Sequence, residues 1–231
     1  MKKVLFFVVV CLLVFTFTVS AQDLEFVSGV SIENWNTNVD VTYKSESDNW
    51  FKRSYSSDAA LGLYAGGRYW LNEKMAITGG LDMARFSYVY TYENEYPYDT
   101  KTTNKRTLVG PFGQVSYRLN DIFTLNGGIG YYSYKATETY EDSDENDQNK
   151  DYDHDLLKGN GLGFSIGTEI EYPIKENIAL NSSLGFRRVN INVDEYYDYY
   201  EEEMAKAEDV YENYSLVINS LKIGLGISYE F

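Results

Sequence analysis

The sequence has one cysteine, one histidine and three prolines in 231 residues. A lone cysteine, Cys11, forms no internal disulfide, so no covalent staple holds the fold. One histidine excludes the His/Cys clusters of a zinc centre. Three prolines exclude a proline-rich stalk. Positive charge is also scarce: 20 Lys and Arg stand against 35 Asp and Glu, a net charge of −15. Phosphate backbones repel such a chain, so no nucleic-acid partner is expected. No glycine motif follows a strand and opens a helix. Gly79-Gly80 and Gly127-Gly128 therefore read as packing glycines, not phosphate cradles.

Long apolar runs are missing, with one exception. Val4 to Thr18 is almost unbroken, preceded by Lys2 and Lys3 and followed by Val19-Ser20-Ala21. The run is short for a helical span of about 20 residues. It has the three parts of a secretory signal, with cleavage expected after Ala21. Residues 1–21 are thus read as a removable leader and 22–231 as the mature domain. Cleavage removes Cys11.

What is abundant is tyrosine, 23 residues beside 12 Phe and 3 Trp. That surplus suits strands and membrane interfaces. Three segments share one plan: YWLNEKMAITGGL from Tyr69, YRLNDIFTLNGGI from Tyr117 and YPIKENIALNSSL from Tyr172. Each reads as strand end, tight polar turn, strand start. With Tyr229 they mark a repeated hairpin. Longer connections are expected over Ser45 to Ser56, Glu93 to Asn104, Glu138 to Leu157 and Asp194 to Asn213. Three short turns and four long loops join eight antiparallel strands of an up-and-down sheet, with all the long loops at one end.

Strand faces alternate strictly. In Leu221 to Phe231 the odd positions are Leu221, Ile223, Leu225, Ile227, Tyr229 and Phe231. The even ones are Lys222, Gly224, Gly226, Ser228 and Glu230. Around residue 166, Leu162, Phe164, Ile166, Ile170 and Tyr172 oppose Gly161, Gly163, Ser165, Gly167, Glu169 and Glu171. Met75, Ile77, Leu81 and Met83 oppose Thr78, Gly80 and Asp82. Periodicity alone fits a soluble barrel with greasy residues inside or a membrane barrel with them outside. Three features favour the membrane barrel. Gly on the polar face is costly on a solvated strand but useful in a narrow interior. Tyr69, Trp70, Tyr117 and Tyr172 stand at the tight turns, where an aromatic girdle belongs. The final strand ends on an aromatic residue.

On these residues the chain resembles the small eight-stranded outer-membrane β-barrels of the OmpA-transmembrane-domain and OmpX type, from about Leu24 to Phe231. The resemblance implies an all-β, eight-stranded transmembrane barrel in the outer membrane of a diderm bacterium, in contact with outer-membrane lipid. The terminal GISYEF looks like the signal read by the barrel-assembly machinery, with Gly226, Tyr229 and Phe231 on its key places. The polar residue usual two positions before the Gly is here Gly224, a departure from the pattern.

Eight strands enclose a space that side chains fill. By parity the interior carries Arg68, Arg118, Arg187 and Lys222, with Glu25, Glu33, Asp82, Glu169, Glu171 and Glu230. Mixed signs point to an interlocked plug that fixes strand register, with a charged lining for a narrow ion path as the alternative. The segment from Glu138 to Asp155 holds nine acidic residues against Lys150, and Asp194 to Asp209 holds eight against Lys206. These stretches are read as a solvated cap. They are also candidate binders of a surface ligand or of a divalent cation, through Asp142, Asp144, Glu145 and Asp147. A short surface helix is expected near Glu202 to Tyr211, where Glu202 and Lys206 are spaced as an i,i+4 pair. The single histidine, His154, lies in an acidic stretch. Ser143 and Ser165 are its nearest serines in sequence and nothing places either beside it, so no enzyme and no cofactor are expected. The function expected is structural or surface interaction, adhesion included. A small ion channel and a secreted lipocalin-like ligand carrier are the alternatives.

Overall fold

A computed structural model describes residues 24–43, 50–93, 99–142, 151–198 and 203–231, and the expected leader lies outside them. The strands are β1 Leu24–Tyr43, β2 Trp50–Trp70, β3 Met75–Glu93, β4 Asp99–Arg118, β5 Phe123–Asp142, β6 Asp151–Lys175 and β7 Ile178–Asp198. A short β8, Glu203–Lys206, and a single helical turn α1, Ala207–Val210, precede β9, Tyr211–Glu230. Each strand from β1 to β7 pairs antiparallel with the next; β7 then pairs with β9, and β9 with β1. The ring of eight strands therefore closes. β8 pairs only with the far end of β7. No helix among the described residues is long and apolar enough to cross a membrane.

The repeated turns owe their form to one side chain. Asn72 Oδ1 accepts hydrogen bonds from the amides of Lys74 and Met75, at 2.9 Å each. Asn120 Oδ1 does the same for Ile122 and Phe123, at 3.1 and 2.9 Å. This carboxamide replaces a backbone partner and fixes the turn. The third repeat has Lys175 at the equivalent place. There the strands meet through a tighter turn, with Lys175 opposite Ile178 and a bulge at Pro173/Lys175.

Parity falls as the membrane reading requires. Leu162, Phe164, Ile166, Leu225 and Ile227 are exposed on the outside, Leu162 by 67%. Glu169, Gly224, Gly226 and Ser228 are buried on the inside. Tyr117 and Tyr172 are exposed at the short-turn end. Trp70, expected in that girdle, instead turns inward: it shares the parity of Arg68, and its indole N–H donates to Glu25.

The barrel wall then reverses its pattern partway along. On β7 the outward residues run Leu180, Leu184, Phe186 and then Arg188, Asn190, Asn192. The inward ones run Asn181, Arg187 and then Val189, Ile191, Val193. On β1 Phe26, Val30 and Ile32 give way outside to Asn34 and Asn36, while Glu33 gives way inside to Trp35. β3 shows the same switch, from Ile77 and Leu81 to Arg85 outside, and from Asp82 to Ala84 and Phe86 inside. A membrane strand needs about 9–11 residues, but these barrel strands have 19 to 25. The surplus rises into water, where apolar side chains move inside. They form a core of Trp35, Phe86, Leu108, Tyr132, Tyr134, Val189, Ile191, Leu216 and Ile218. Leu108 and Ile191 are 0% exposed.

This reversal corrects the expected long loops. β3 and β4 stay paired to Glu93 opposite Asp99, and β5 and β6 to Glu141 opposite Asp151. Most of each expected loop is strand, because the backbone ladder continues after the outer face has turned polar. The expected helix shrinks to the single turn of α1, since Glu203 to Lys206 pair with β7 instead.

The belt gives a direct expectation. Leu225→Arg places a charge near the middle of the hydrocarbon layer and lowers the stability of the barrel by about 2–4 kcal/mol. Asn192→Arg, exposed above the belt, changes it by less than about 0.5 kcal/mol. Urea unfolding from lipid vesicles reads both.

Candidate functional site in the barrel interior

Two arginines organise the membrane half of the lumen. Near the short turns, Arg68 from β2 meets Glu25 of β1 at 3.3 Å, Glu169 of β6 at 2.6 Å and Glu171 at 3.5 Å. Arg118 from β4 lies 3.8 Å from Glu171. Its guanidinium sits 3.9 Å over the Trp70 ring, a cation–π contact that caps this end. Deeper in, Arg187 of β7 bridges Glu33 of β1 and Asp82 of β3. Lys222 of β9 reaches Asp82 at 3.3 Å and Glu33 at 3.8 Å. Trp35 Nε1 donates to Glu33 at 3.1 Å, and the Tyr132 hydroxyl donates to Asp82 at 3.4 Å.

The backbone register brings these groups together. Glu25 lies opposite Arg68 across β1–β2, and Glu33 opposite Lys222 across β1–β9. Trp35 and Glu33 are two residues apart on β1, whereas the contacts of Arg68 with Glu169 and of Arg187 with Glu33 and Asp82 join strands that are not neighbours. Arg187 ties β7 to β1 and β3, so three separate stretches of wall are pinned at one point. Both of its carboxylate partners are almost fully buried. Removing one member of such a group strands the others without water, which costs about 3–5 kcal/mol.

Glycines make room for the rings beside these charges. A Cβ on Gly29 would lie 2.7 Å from Tyr64 Cε1 and its hydroxyl, and one on Gly130 would lie 2.7 Å from Tyr132 Cε2. A cavity of about 110 Å³ touches both charge clusters. Arg68, Thr78, Asn126 and Arg187 line it, each with a buried polar atom that has no protein partner among the described residues. A space of that size, with these polar groups on its walls, has room for water.

Nine of the ten charges expected inside lie in these clusters. The tenth, Glu230, is exposed at the rim. It shares inward parity but stands at the last strand residue, where the lumen opens to solvent, and it joins no ion pair among the described residues. Gly226 faces inward, close to the Tyr64 hydroxyl. Tyr229 and Phe231 face outward, edge to face at 5.2 Å. The amide of Phe231 donates to Leu24 O at 3.2 Å, which seals the β9–β1 seam.

Tyr64, Tyr132, Trp35 and Trp70 belong to the interior as well and were not anticipated. Trp35, Tyr64 and Trp70 share parity with the charges of their own strands, and Tyr132 shares it with Thr124 and Asn126 on β5, and that signal would have found them.

The other end of the barrel carries no catalytic constellation among the described residues. His154 stacks on Tyr197 at 4.3 Å, and Ser165 lies far along β6 in the lumen. Ser143, Asp144, Glu145 and Asp147 lie outside the described residues, as does the side chain of Asp142. No cluster of metal-ligating side chains occurs among the described residues. At this rim Lys135 lies 2.6 Å and Lys158 3.0 Å from Asp155. Desolvation pushes the Asp155 carboxyl up, but the two lysine hydrogen bonds outweigh it and hold it below its usual value. The stabilisation from this pairing is complete above the ordinary aspartate pKa. It is lost as pH falls toward the lower folded value.

Arg187→Ala is expected to lower the unfolding free energy by about 3–5 kcal/mol. Arg118→Ala, at a solvent-reached position, lowers it by no more than about 2 kcal/mol. Equal effects in urea titrations would refute the ranking.

The model of the outer membrane protein beta-barrel domain matches residues 9–231. A sequence search of curated proteins finds no match. Among solved structures, the outer membrane protease OmpT of Escherichia coli has a TM-score of 0.51 at 11% identity, covering 94% of this chain and 99% of that one. OprG of Pseudomonas aeruginosa has a TM-score of 0.46 at 13% identity, covering 92% and 97%. Ail, the attachment invasion locus protein of Yersinia pestis, has 0.33 at 15%, covering 87% and 97%. At such identities the likeness to OmpT concerns the fold, not the protease. With the family model spanning nearly the whole sequence and the charged lumen enclosed by a lipid-facing belt, this chain belongs to the outer membrane protein beta-barrel family and resides in the bacterial outer membrane.

Proposed function

We propose that the protein is a closed, non-enzymatic barrel that carries a rigid, acidic surface above the outer membrane, for structural support and surface interaction. The observation behind this reading is the doubly filled interior. Arg187, Lys222, Glu33 and Asp82 cross-link the lumen at belt height, and the apolar core around Leu108 and Ile191 closes the lower part of the tier above. Two positive and two negative charges at one level neutralise each other, which gives no field of one sign to draw ions through. The paired arms above the belt hold Tyr-rich, acidic sequence clear of lipid, where loops and rims meet partners. The assembly role of Gly226, Tyr229 and Phe231 and the contact with outer-membrane lipid belong to the same proposal. Divalent-cation binding at the acidic stretches is a further part of it, checked by calorimetry with calcium.

Two measurements test this reading. Planar-bilayer recordings of the full chain show no large, steady conductance; a stable open level would favour the channel instead. In intact cells, an amine reagent too large for outer-membrane pores labels Lys135, Lys158 and Lys206 and spares Lys74 and Lys175 at the short turns. Labelling of Lys74 in unbroken cells would reverse the orientation.

A further inference from the structure

The solvent-exposed tier is not completely packed. Above the apolar core lies a second cavity, of about 250 Å³, lined by Val39, Val41, Ala136, Leu156, Leu157 and Leu216 with Tyr134, Tyr211 and Tyr214. Thr37, Asn104 and Arg106 add polar groups. Its floor is the core: Tyr134, Ala136 and Leu216 are buried members of the cluster that also holds Trp35, Phe86 and Leu108. Part of its wall is the segment that follows the β8–α1 excursion. Ala207 of α1 is buried in the same core, and Tyr211 packs edge-on against Tyr196 at 5.2 Å and Tyr214 at 5.0 Å.

The space opens toward solvent on one side, where Val39, Leu156, Leu157, Tyr211 and Tyr214 are half-buried, and its deeper walls are buried. A dry cavity of about 150 Å³ binds benzene, so this one has room for a larger, bicyclic or medium-chain molecule. The lining selects against charge. Arg106, the one cation of the lining, is already engaged by other groups of the chain, and a bound carboxylate would also stand near Glu138, which accepts from Asn104 Nδ2 at 3.2 Å. A bound ammonium would meet Arg106 and lose hydration against the apolar part of the lining. We infer that the cavity formed by β1, β4, β5, β6 and β9 above the core is a binding site for a small, uncharged aromatic or aliphatic molecule bearing one hydrogen-bonding group. The site is a dead end, because the core and the ion pairs close the barrel below it. It captures the molecule at the cell surface and does not pass it inward.

The test uses the full chain in lipid nanodiscs with 2-naphthol as the probe and 2-naphthoate as its charged counterpart. In protein labelled at alanine methyls, 2-naphthol shifts the Ala136 resonance. It leaves Ala76 and Ala179, at the short-turn end, unmoved. Ala65, on the lipid face, reports partition into the bilayer. Ala136→Trp fills the space and weakens binding at least 10-fold by equilibrium dialysis, with empty nanodiscs subtracted. Val39→Trp repeats the test from another wall should the first variant fail to fold. Shifts at Ala65 without shifts at Ala136, undiminished binding in the folded tryptophan variants, or 2-naphthoate binding as tightly as 2-naphthol would each overturn the inference.

Discussion

One wall passing through two solvents is the constraint from which the rest of this structure follows. Where hydrocarbon surrounds the barrel, Leu184, Phe186, Leu225 and Ile227 face outward. Where water surrounds it, the same strands turn Val189, Ile191, Leu216 and Ile218 inward. Most ladders run on across the boundary, whereas the one between β2 and β3 stops there, at Leu61 opposite Arg85. On the strands that continue, the side chains change sides. The change occurs within a few residues on β1, β3 and β7, so the boundary is a level around the barrel and not a local irregularity.

The two tiers hold the barrel by different means. In lipid, burying apolar surface inside gains nothing over leaving it outside, so the lumen there is filled by charges that must satisfy one another. Arg187 and Arg68 are the hubs, and their partners come from β1, β3 and β6. Directional pairs of this kind specify register as well as contact, because a strand slipped by one residue would carry Glu33 out of the lumen. In water the hydrophobic effect returns, at roughly 1.5–3 kcal/mol for each large aliphatic side chain buried. The upper tier thus packs like a small water-soluble sheet structure standing on the membrane barrel.

The strands, their faces and their orientation were legible because the belt alternates sharply. Glycine and charge on one face of Leu221 to Phe231 against aliphatics on the other leave little ambiguity. The arms were read as loops for a physical reason. Above the belt the meaning of the alternation reverses, and tyrosine, which serves either face, fills both, as Tyr131, Tyr132 and Tyr134 do in β5. Trp70 misled because an aromatic beside a turn fits a girdle, yet its parity matches Arg68. Glu230 misled in the opposite way: its parity is inward, but a rim residue has water beside it. The cavity near Leu156 and Tyr211 lay beyond sequence reasoning, since it depends on how α1 and β9 meet the mouth of the ring.

The level at which the wall changes solvent can be measured along β7. Single cysteines from residue 180 to 193, in a chain whose only native cysteine is Cys11, accept nitroxide labels in reconstituted bilayers. Labels at positions 180, 184 and 186 should relax with oxygen, and labels at 190 and 192 with a water-soluble nickel chelate. Those at 189, 191 and 193 should respond weakly to both. A continuous oxygen response from 180 to 192 would contradict the account, because the outward face would then lie in lipid along its whole length.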